Sequence, residues 1–92
     1  MVHAFLLIRA APPRVADLAS ELADVAGIAE VYSVAGDVDL VAVVRVPHHD
    51  DLAEVVTGHV ARLDGIVETR TMVAFQAFSR RDLDALWDLG AG

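Results

Sequence analysis

A Gly-Asp-Val-Asp turn at residues 36–39 has the residue types that hold a small polar ligand. One interpretation is a plain hairpin, in which Gly36 supplies a positive φ and the aspartates favour the turn. The other is that Gly36 lets a ligand approach the backbone. Exposed amide N–H groups would then receive a carboxylate, and Asp37 or Asp39 would receive an ammonium group. A zwitterion needs both kinds of group close together, and this spacing permits that.

Two threonines near the end of the chain are a second candidate for ligand binding. In the segment ETRTM, residues 68–72, Thr69 and Thr71 fall on one face of a predicted strand and Arg70 falls on the other. Paired threonines on a strand often reflect β-propensity alone. Their hydroxyls also donate and accept hydrogen bonds with small polar ligands. The residues by themselves leave both interpretations open.

The segment HHDD, residues 48–51, has the residue types of a metal site but not the spacing. Adjacent side chains on a helix diverge by about 100°, and no third ligand follows at a spacing that suits a metal. Asp50 is better explained as the N-cap of a helix. His59 falls in an apolar stripe and is better explained as a partly buried side chain. We expect no metal and no cofactor.

Composition restricts the class of protein. Ninety-two residues make one small domain, and 55% hydrophobic residues are more than such a chain hides as a monomer, so we expect association with a second copy. Fourteen acidic residues against seven arginines give a net charge of −7, which argues against DNA binding. Cysteine is absent, and the sequence shows neither a signal peptide nor a membrane span. The simplest expectation is a cytoplasmic protein.

The apolar pattern predicts strands and helices in the order β-α-β-β-α-β. The predicted elements are a strand at 2–9, a helix from Pro13 to a cap at Gly27, strands at 28–35 and 40–46, a helix from Asp50 to a cap at Gly65, and a strand at 66–78. The segments AGIAEVYS and DGIVETRT follow the two helices and share the pattern x-Gly-Ile-x-Glu. Two such halves predict an α+β, ferredoxin-like fold over residues 1–79. Residues 80–92 form a tail with the pattern of a short amphipathic helix.

The first and third strands are apolar on both sides, which predicts that both faces of the sheet are covered. One side of the first strand carries Val2, Ala4, Leu6 and Ile8, and the other carries Phe5 and Leu7. Since right-handed crossovers place both helices on one face of an antiparallel four-stranded sheet, a second subunit is expected on the other. The result is a dimeric sandwich with the first and third strands in the centre.

Taken together, the turn and the last strand resemble a known family. AGDVDLVAVVRV, a helix, and then LDGIVETRTMVAF resemble the effector-binding (RAM) domain of the Lrp/AsnC transcription regulators. The resemblance covers residues 2 to about 78. It implies a non-enzymatic sensor of small amino acids, built as a dimer with apposed sheets, with dimers assembled into rings.

The resemblance also implies where the amino acid binds, in a cleft between dimers. The residues that match its lining are Gly36, Asp37, Val38, Asp39, Thr69 and Thr71. Family members often have an aromatic residue inside the turn, where this chain has Val38. Members usually carry a helix-turn-helix domain before the first strand. Because that strand begins here at residue 2, the chain resembles the stand-alone form, which would act on full-length regulators by mixed assembly.

Two other functions compete with sensing. The same fold hosts cofactor-free oxygenases and isomerases, and His3 is the best candidate for a general base in such an enzyme. No nucleophile, activated acid pair or phosphate loop accompanies it in the sequence. The remaining alternative is an assembly module that has lost its ligand.

Overall fold

The computed structural model describes residues 1–80, so the predicted tail helix lies outside the described residues except for Arg80. No helix within this described part of the chain is both long and apolar enough to cross a bilayer. The division of the chain at residue 79 stays a prediction.

One antiparallel sheet of four strands forms the first layer of the domain. Its strands are β1 (Val2–Ala10), β2 (Ile28–Ser33), β3 (Leu40–Val46) and β4 (Ile66–Val73), in the spatial order β2-β3-β1-β4. The chain order βαββαβ and the central β1 and β3 confirm the predicted ferredoxin-like α+β fold. The bounds predicted for β3 are confirmed.

Two strands, β2 and β4, are shorter than predicted. The β2 strand ends where the turn begins, and β4 ends where β1 no longer lies beside it. The Val34 N–H donates to the Asp39 carbonyl at 3.0 Å and so begins the β2–β3 turn, which removes Val34 and Ala35 from β2. On β4, the Ala74 N–H still donates to the His3 carbonyl at 2.9 Å. Since β1 begins at Val2, residues 75–78 have no strand beside them to pair with.

The helical layer is also less regular than the periodicity predicts. Residues Pro12–Arg14 form a 3-10 turn, and α1 spans Val15–Ala23. The helix ends at Asp24 rather than at Gly27, so the predicted C-cap is wrong. Gly27 instead lies in the turn before β2 with a φ of +97°, and Gly65 occupies the equivalent place before β4 with a φ of +96°. The internal repeat therefore corresponds to a repeated turn.

The second helix, α2, is a normal α-helix only over His49–Ala53, followed by a π-helical segment at Glu54–His59 and a 3-10 turn at Val60–Arg62. Its N-cap is His48, not Asp50 as predicted. The His48 N–H donates to Asp51 Oδ2 at 3.1 Å, so Asp51 closes the first turn. His59, predicted as partly buried, is exposed. A π-helical segment has more residues per turn than an α-helix, which rotates His59 off the apolar stripe.

Both helical segments pack on one face of the sheet and form the core with it. From the strands, the core contains Ala4, Leu6, Ile8, Leu40, Ala42 and Val44; from the helices, it contains Leu18, Leu22, Leu52, Val55 and Val60. Every buried residue in the described part of the chain is hydrophobic, so apolar side chains form the contact between the two layers. Two helices on one face were predicted and are confirmed.

The opposite face of the sheet, called here the open face, has no layer over it in the described chain. Phe5, Tyr32 and Met72 are 37%, 50% and 51% exposed. Polar groups surround them: Arg45 pairs with Glu30 at 3.0 Å, and the Tyr32 hydroxyl donates to Glu30. The bond from Tyr32, and then Arg45, lower the pKa of the Glu30 carboxyl. The same bond raises the pKa of Tyr32.

Candidate ligand-binding site

The β2–β3 turn adopts a conformation that requires glycine at residue 36. Gly36 has a φ of +126°, a region that residues with a Cβ rarely enter. A Cβ at this position would meet nothing within 4 Å, so the backbone angle and not crowding selects glycine. The turn is therefore fixed in shape but open around Gly36, and both predicted interpretations of this glycine are compatible with it.

Asp39 closes the turn and ties it to the central strand of the sheet. Its Oδ2 accepts the Ala10 N–H at 2.8 Å, and its own N–H donates to the Ile8 carbonyl at 2.9 Å. Since the Asp39 carbonyl also accepts the Val34 N–H, this residue joins three strand ends. The carboxylate of Asp39 consequently has a structural role, whatever else it binds.

A cleft of about 390 Å³, called here the turn cleft, opens beside this hairpin. It is lined by Arg9, Ala10, Pro12, Gly36, Asp37, Asp39 and Val67. The structure thus brings three of the predicted site residues to one cavity. Val38 is half-buried in the same turn but does not line the cleft.

The two threonines lie along β4 and do not line the turn cleft. Thr69 is paired with Ile8 and Thr71 with Leu6, so both hydroxyls project on the helix-covered side of the sheet. They are nevertheless exposed, because the helical layer does not extend over β4. Paired residues on neighbouring strands share a face, so the prediction that Arg70 points the other way is confirmed.

The polar groups of the turn cleft are largely free of partners within residues 1–80. Asp37 is exposed and makes neither a hydrogen bond nor an ion pair there. The N–H groups of Gly36, Asp37 and Val38 donate to no acceptor in this part of the chain. Arg9 supplies a cation, which contacts Glu68 through Nη1 at 3.3 Å. One guanidinium, two carboxylates and free amides are groups that bind an ammonium and a carboxylate.

The sequence prediction missed Arg9 and Val67, which complete the turn cleft. The register pairs Arg9 with Glu68 and Ala10 with Ile66, so β4 has one extra residue, Val67, in a β-bulge. Bulges re-aim side chains and often lie next to functional sites. A one-residue slip of this kind leaves no mark in the hydrophobic pattern. Arg9 had a signal, since the end of β1 must lie beside the start of β3 in an antiparallel pair.

Arg14 supports the wall of the turn cleft from behind. Its guanidinium contacts Glu21 at 2.6 Å and donates from Nε to the Asp64 carbonyl at 3.4 Å. The Ala11 N–H donates to the Gly65 carbonyl at 2.8 Å. These bonds join the 3-10 turn that precedes α1 to the loop that leads into β4, and so hold Pro12 and Val67 on the same cavity.

A second cleft, of about 430 Å³, lies at the other end of β3. Its lining includes Arg45, Asp51, Glu54 and His59 around the apolar side chains of Val46 and Val55. Arg45 pairs with Glu30 and Asp51 closes the α2 turn, so two of these polar groups serve the fold. Within residues 1–80 no three His, Cys, Asp or Glu side chains lie close enough to hold a metal ion, the HHDD segment included.

Comparison with known proteins identifies relatives over most of the chain. A sequence model of the Lrp/AsnC ligand binding domain matches residues 3–83. The chain is 33% identical, over 75 residues, to an uncharacterised HTH-type transcriptional regulator of Pyrococcus horikoshii, PH1916. That match covers 78% of this chain and 50% of the regulator, so the chain spans about half the length of this relative.

Two solved structures have the same fold. The protein TTHA0845 of Thermus thermophilus is 44% identical and has a TM-score of 0.82, covering 87% of this chain and 100% of that one. A feast or famine regulatory protein from M. tuberculosis, solved with L-methionine, is 24% identical with a TM-score of 0.71. There the match covers 88% of this chain and 55% of the regulator, and at this identity it shows the fold alone.

Proposed function

The chain belongs to the Lrp/AsnC ligand binding domain family, and from that premise we propose that it binds a small amino acid in the turn cleft and serves as a regulatory sensor. The observation that carries this proposal is the set of charges around the cleft. Asp37 offers an ammonium group a carboxylate that has no partner within residues 1–80, while Arg9 and the turn amides, which are free in the same range, offer partners to a carboxylate. The L-methionine bound to the M. tuberculosis regulator supports the same ligand class.

Thermal unfolding in the presence of each of the twenty amino acids tests this proposal. A ligand at a hundred times its Kd adds about 2.7 kcal/mol to the free energy of unfolding. We expect one or a few amino acids to raise Tm, and Asp37→Asn to remove that increase. The matched control is Asp50→Asn, which neutralises an exposed acid away from the cleft. If no amino acid raises Tm, or if Asp37→Asn leaves the increase unchanged, the cleft is not the sensor site.

A second copy of the chain on the open face is the partner that we propose next. Phe5, Tyr32 and Met72 form an apolar centre, and the ion pairs Arg45–Glu30 and Arg9–Glu68 lie around it. An apolar centre with a polar rim is the usual composition of an interface. A C2 dimer opposes the same patch on both subunits. Since this rim contains both arginines and glutamates, positive groups of one subunit can face negative groups of the other.

Higher assembly would cover the exposed edge of β4. Thr69, Thr71 and Val73 face the helix side yet remain exposed. If a neighbouring dimer packed against this edge, the threonine hydroxyls of one dimer would lie near the turn cleft of the other. In this proposal the complete ligand site, with Thr69 and Thr71, forms between dimers. Val67, which lines the cleft two residues before Thr69, connects the two parts.

The effector-dependent partner that we propose is a full-length regulator of the same family. The relative in P. horikoshii is about twice as long as the matched region, and shared sheet faces would allow mixed assembly. Co-purification of this chain with such a regulator is expected to increase when the amino acid is present. The chain's net charge of −7 supports the further expectation that it makes no direct contact with DNA.

The enzyme alternative loses its main candidate residue. His3, the candidate general base, is paired with Arg45 on the open face and lines neither of the two clefts described above. A general base must lie within hydrogen-bonding reach of a bound substrate. The family itself is a ligand-binding domain of transcription regulators.

A further inference from the structure

We infer that Arg9 receives the carboxylate of the bound amino acid and thereby makes the turn cleft selective for amino acids over amines and amides with the same side chain. The inference rests on the proposed function, because it assigns one ionic contact within the proposed site. Arg9 stands outside the Gly-Asp-Val-Asp turn and outside the Thr-Arg-Thr segment, so neither motif contains it.

The backbone fixes Arg9 beside the aspartates of the turn. Its neighbour Ala10 donates its N–H to Asp39 Oδ2 at 2.8 Å, and Ile8 accepts the Asp39 N–H at 2.9 Å. Arg9 therefore stands between two residues that are bonded to the turn. Arg9 is one of the seven residues that line the cleft, and it is the cationic one among them. An ammonium on Asp37 and a carboxylate on Arg9 would occupy the same cavity.

The charge of the turn cleft explains why the free amides alone are insufficient. Asp37 and Asp39 contribute two negative charges to the lining and Arg9 one positive charge, which leaves a net charge of −1. Without Arg9 the same lining carries −2, and a ligand carboxylate would approach two carboxylates with neutral donors as its only compensation. Charge-assisted hydrogen bonds are about twice as strong as neutral ones. The cleft accordingly suits neutral and basic amino acids better than acidic ones.

The present contact of Arg9 leaves it available to a ligand. It reaches Glu68 through one nitrogen at 3.3 Å, with both side chains about half exposed, at 53% and 50%. Ion pairs of this kind are weak because water and salt screen them. A guanidinium has five N–H donors in a planar fork, so a carboxylate can be bound in a bidentate way. When Arg9 turns to the ligand, Glu68 keeps a second cation, Arg70, whose Nε lies 4.0 Å away.

Isothermal titration of amino acids against their amides tests the inference. The probes are L-leucine and L-methionine with L-leucinamide and L-methioninamide, at about pH 6, where the α-amino groups are charged. For whichever amino acid binds, we expect the wild type to prefer the acid over the amide by at least about tenfold, as a hydrogen bond to a charged group implies. Arg9→Gln should bind the amide as the wild type does and lose the preference for the acid.

Two matched variants separate a contact from a general charge effect. Arg70 carries the same charge as Arg9 and also contacts Glu68, but it does not line the cleft. The Arg70→Gln variant should therefore keep the wild-type preference for the acid over the amide. Glu68→Gln removes the competitor of the ligand and should strengthen binding of the acid several-fold. Circular dichroism melts of the ligand-free variants check that each one folds.

The outcomes distinguish this inference from the function on which it rests. If Arg9→Gln retains the wild-type ratio of acid to amide affinity, or if Arg70→Gln loses it equally, Arg9 is not the carboxylate partner, while the sensor function stands. If none of the twenty amino acids binds the wild type, the proposed function fails, and the inference with it. A tenfold preference that only Arg9→Gln abolishes supports both.

Discussion

The two faces of the sheet carry side chains of the same kinds but have different surroundings. On β1, Leu6 faces the helices and is fully buried, whereas Leu7 is half-buried on the open face. Phe5 and Met72, paired on β1 and β4, are 37% and 51% exposed. The covered face contains no buried polar group in the described chain, whereas the open face has the ion pair Arg45–Glu30 at its edge. One face of the sheet therefore makes the fold, and the other is available for association.

Truncating the two adjacent leucines gives the largest contrast between the faces. Leu6→Ala removes a fully buried side chain and should lower the free energy of unfolding by about 2–5 kcal/mol. Leu7→Ala should cost much less at protein concentrations where the chain is monomeric, because water already reaches part of that side chain. Urea denaturation at two protein concentrations measures both. Equal losses for the two variants in the monomer would remove the distinction between the faces.

A charge on the open face should break the proposed dimer. Met72→Glu places a carboxylate opposite Phe5 in the apolar centre, and we expect the dimer Kd to rise more than about tenfold in sedimentation equilibrium, because a charge is costly to bury without a partner. Ala16→Glu is the control: it adds the same charge at an exposed position of α1, on the side of the sheet away from the open face. A wild type that stays monomeric at every concentration would contradict the dimer outright.

The two aspartates of the turn show the same contrast, because Asp39 is bonded within the fold whereas Asp37, within the described residues, is free to bind a ligand. Asp39→Ala should destabilise the protein by about 1–3 kcal/mol, because the part-buried Ala10 N–H loses its acceptor. Asp37→Ala, with no partner inside residues 1–80, should stay within about 0.5 kcal/mol of the wild type while losing ligand binding. Denaturation and titration on the same two variants measure both effects. A stability loss in Asp37→Ala would show that both aspartates serve the fold.

The smallest effect concerns the polar rim of the open face. Tyr32→Phe should raise the pKa of Glu30 towards its ordinary value, because the carboxylate loses the hydrogen bond from the Tyr32 hydroxyl, and Arg45→Gln should raise it as well. Because folding lowers this pKa, the stabilisation is present above the unfolded pKa of Glu30 and is lost as pH falls through the folded pKa. NMR titration of the Glu30 carboxyl gives the result. An unchanged pKa in Tyr32→Phe would mean that the two side chains do not bond in solution.

Local signals were sufficient for the strands that turn residues bound on both sides. The β3 strand begins after Asp39 and ends before Pro47, and its bounds were predicted without error. The repeat around Gly27 and Gly65 predicted two halves with the same helix exit and thereby the ferredoxin-like fold, although both glycines lie in turns and not at the predicted helix C-caps. Where no such residue stands, as after Val73 on β4, the apolar pattern continued beyond the point where the neighbouring strand ends.

The candidate site was predicted only in part, since the turn depends on local sequence whereas the rest of the cleft depends on how β1 and β4 pair. The fold class, the alternation of faces and the turn at Gly36, Asp37 and Asp39 follow from the amino-acid sequence, because each depends on local backbone preference and on hydrophobic periodicity. The folded chain is needed to show that Arg9 and Val67 join that turn in one cleft and that Thr69 and Thr71 lie beyond it. The register of β1 against β4 makes this choice, and a one-residue bulge changes the register without changing the hydrophobic pattern.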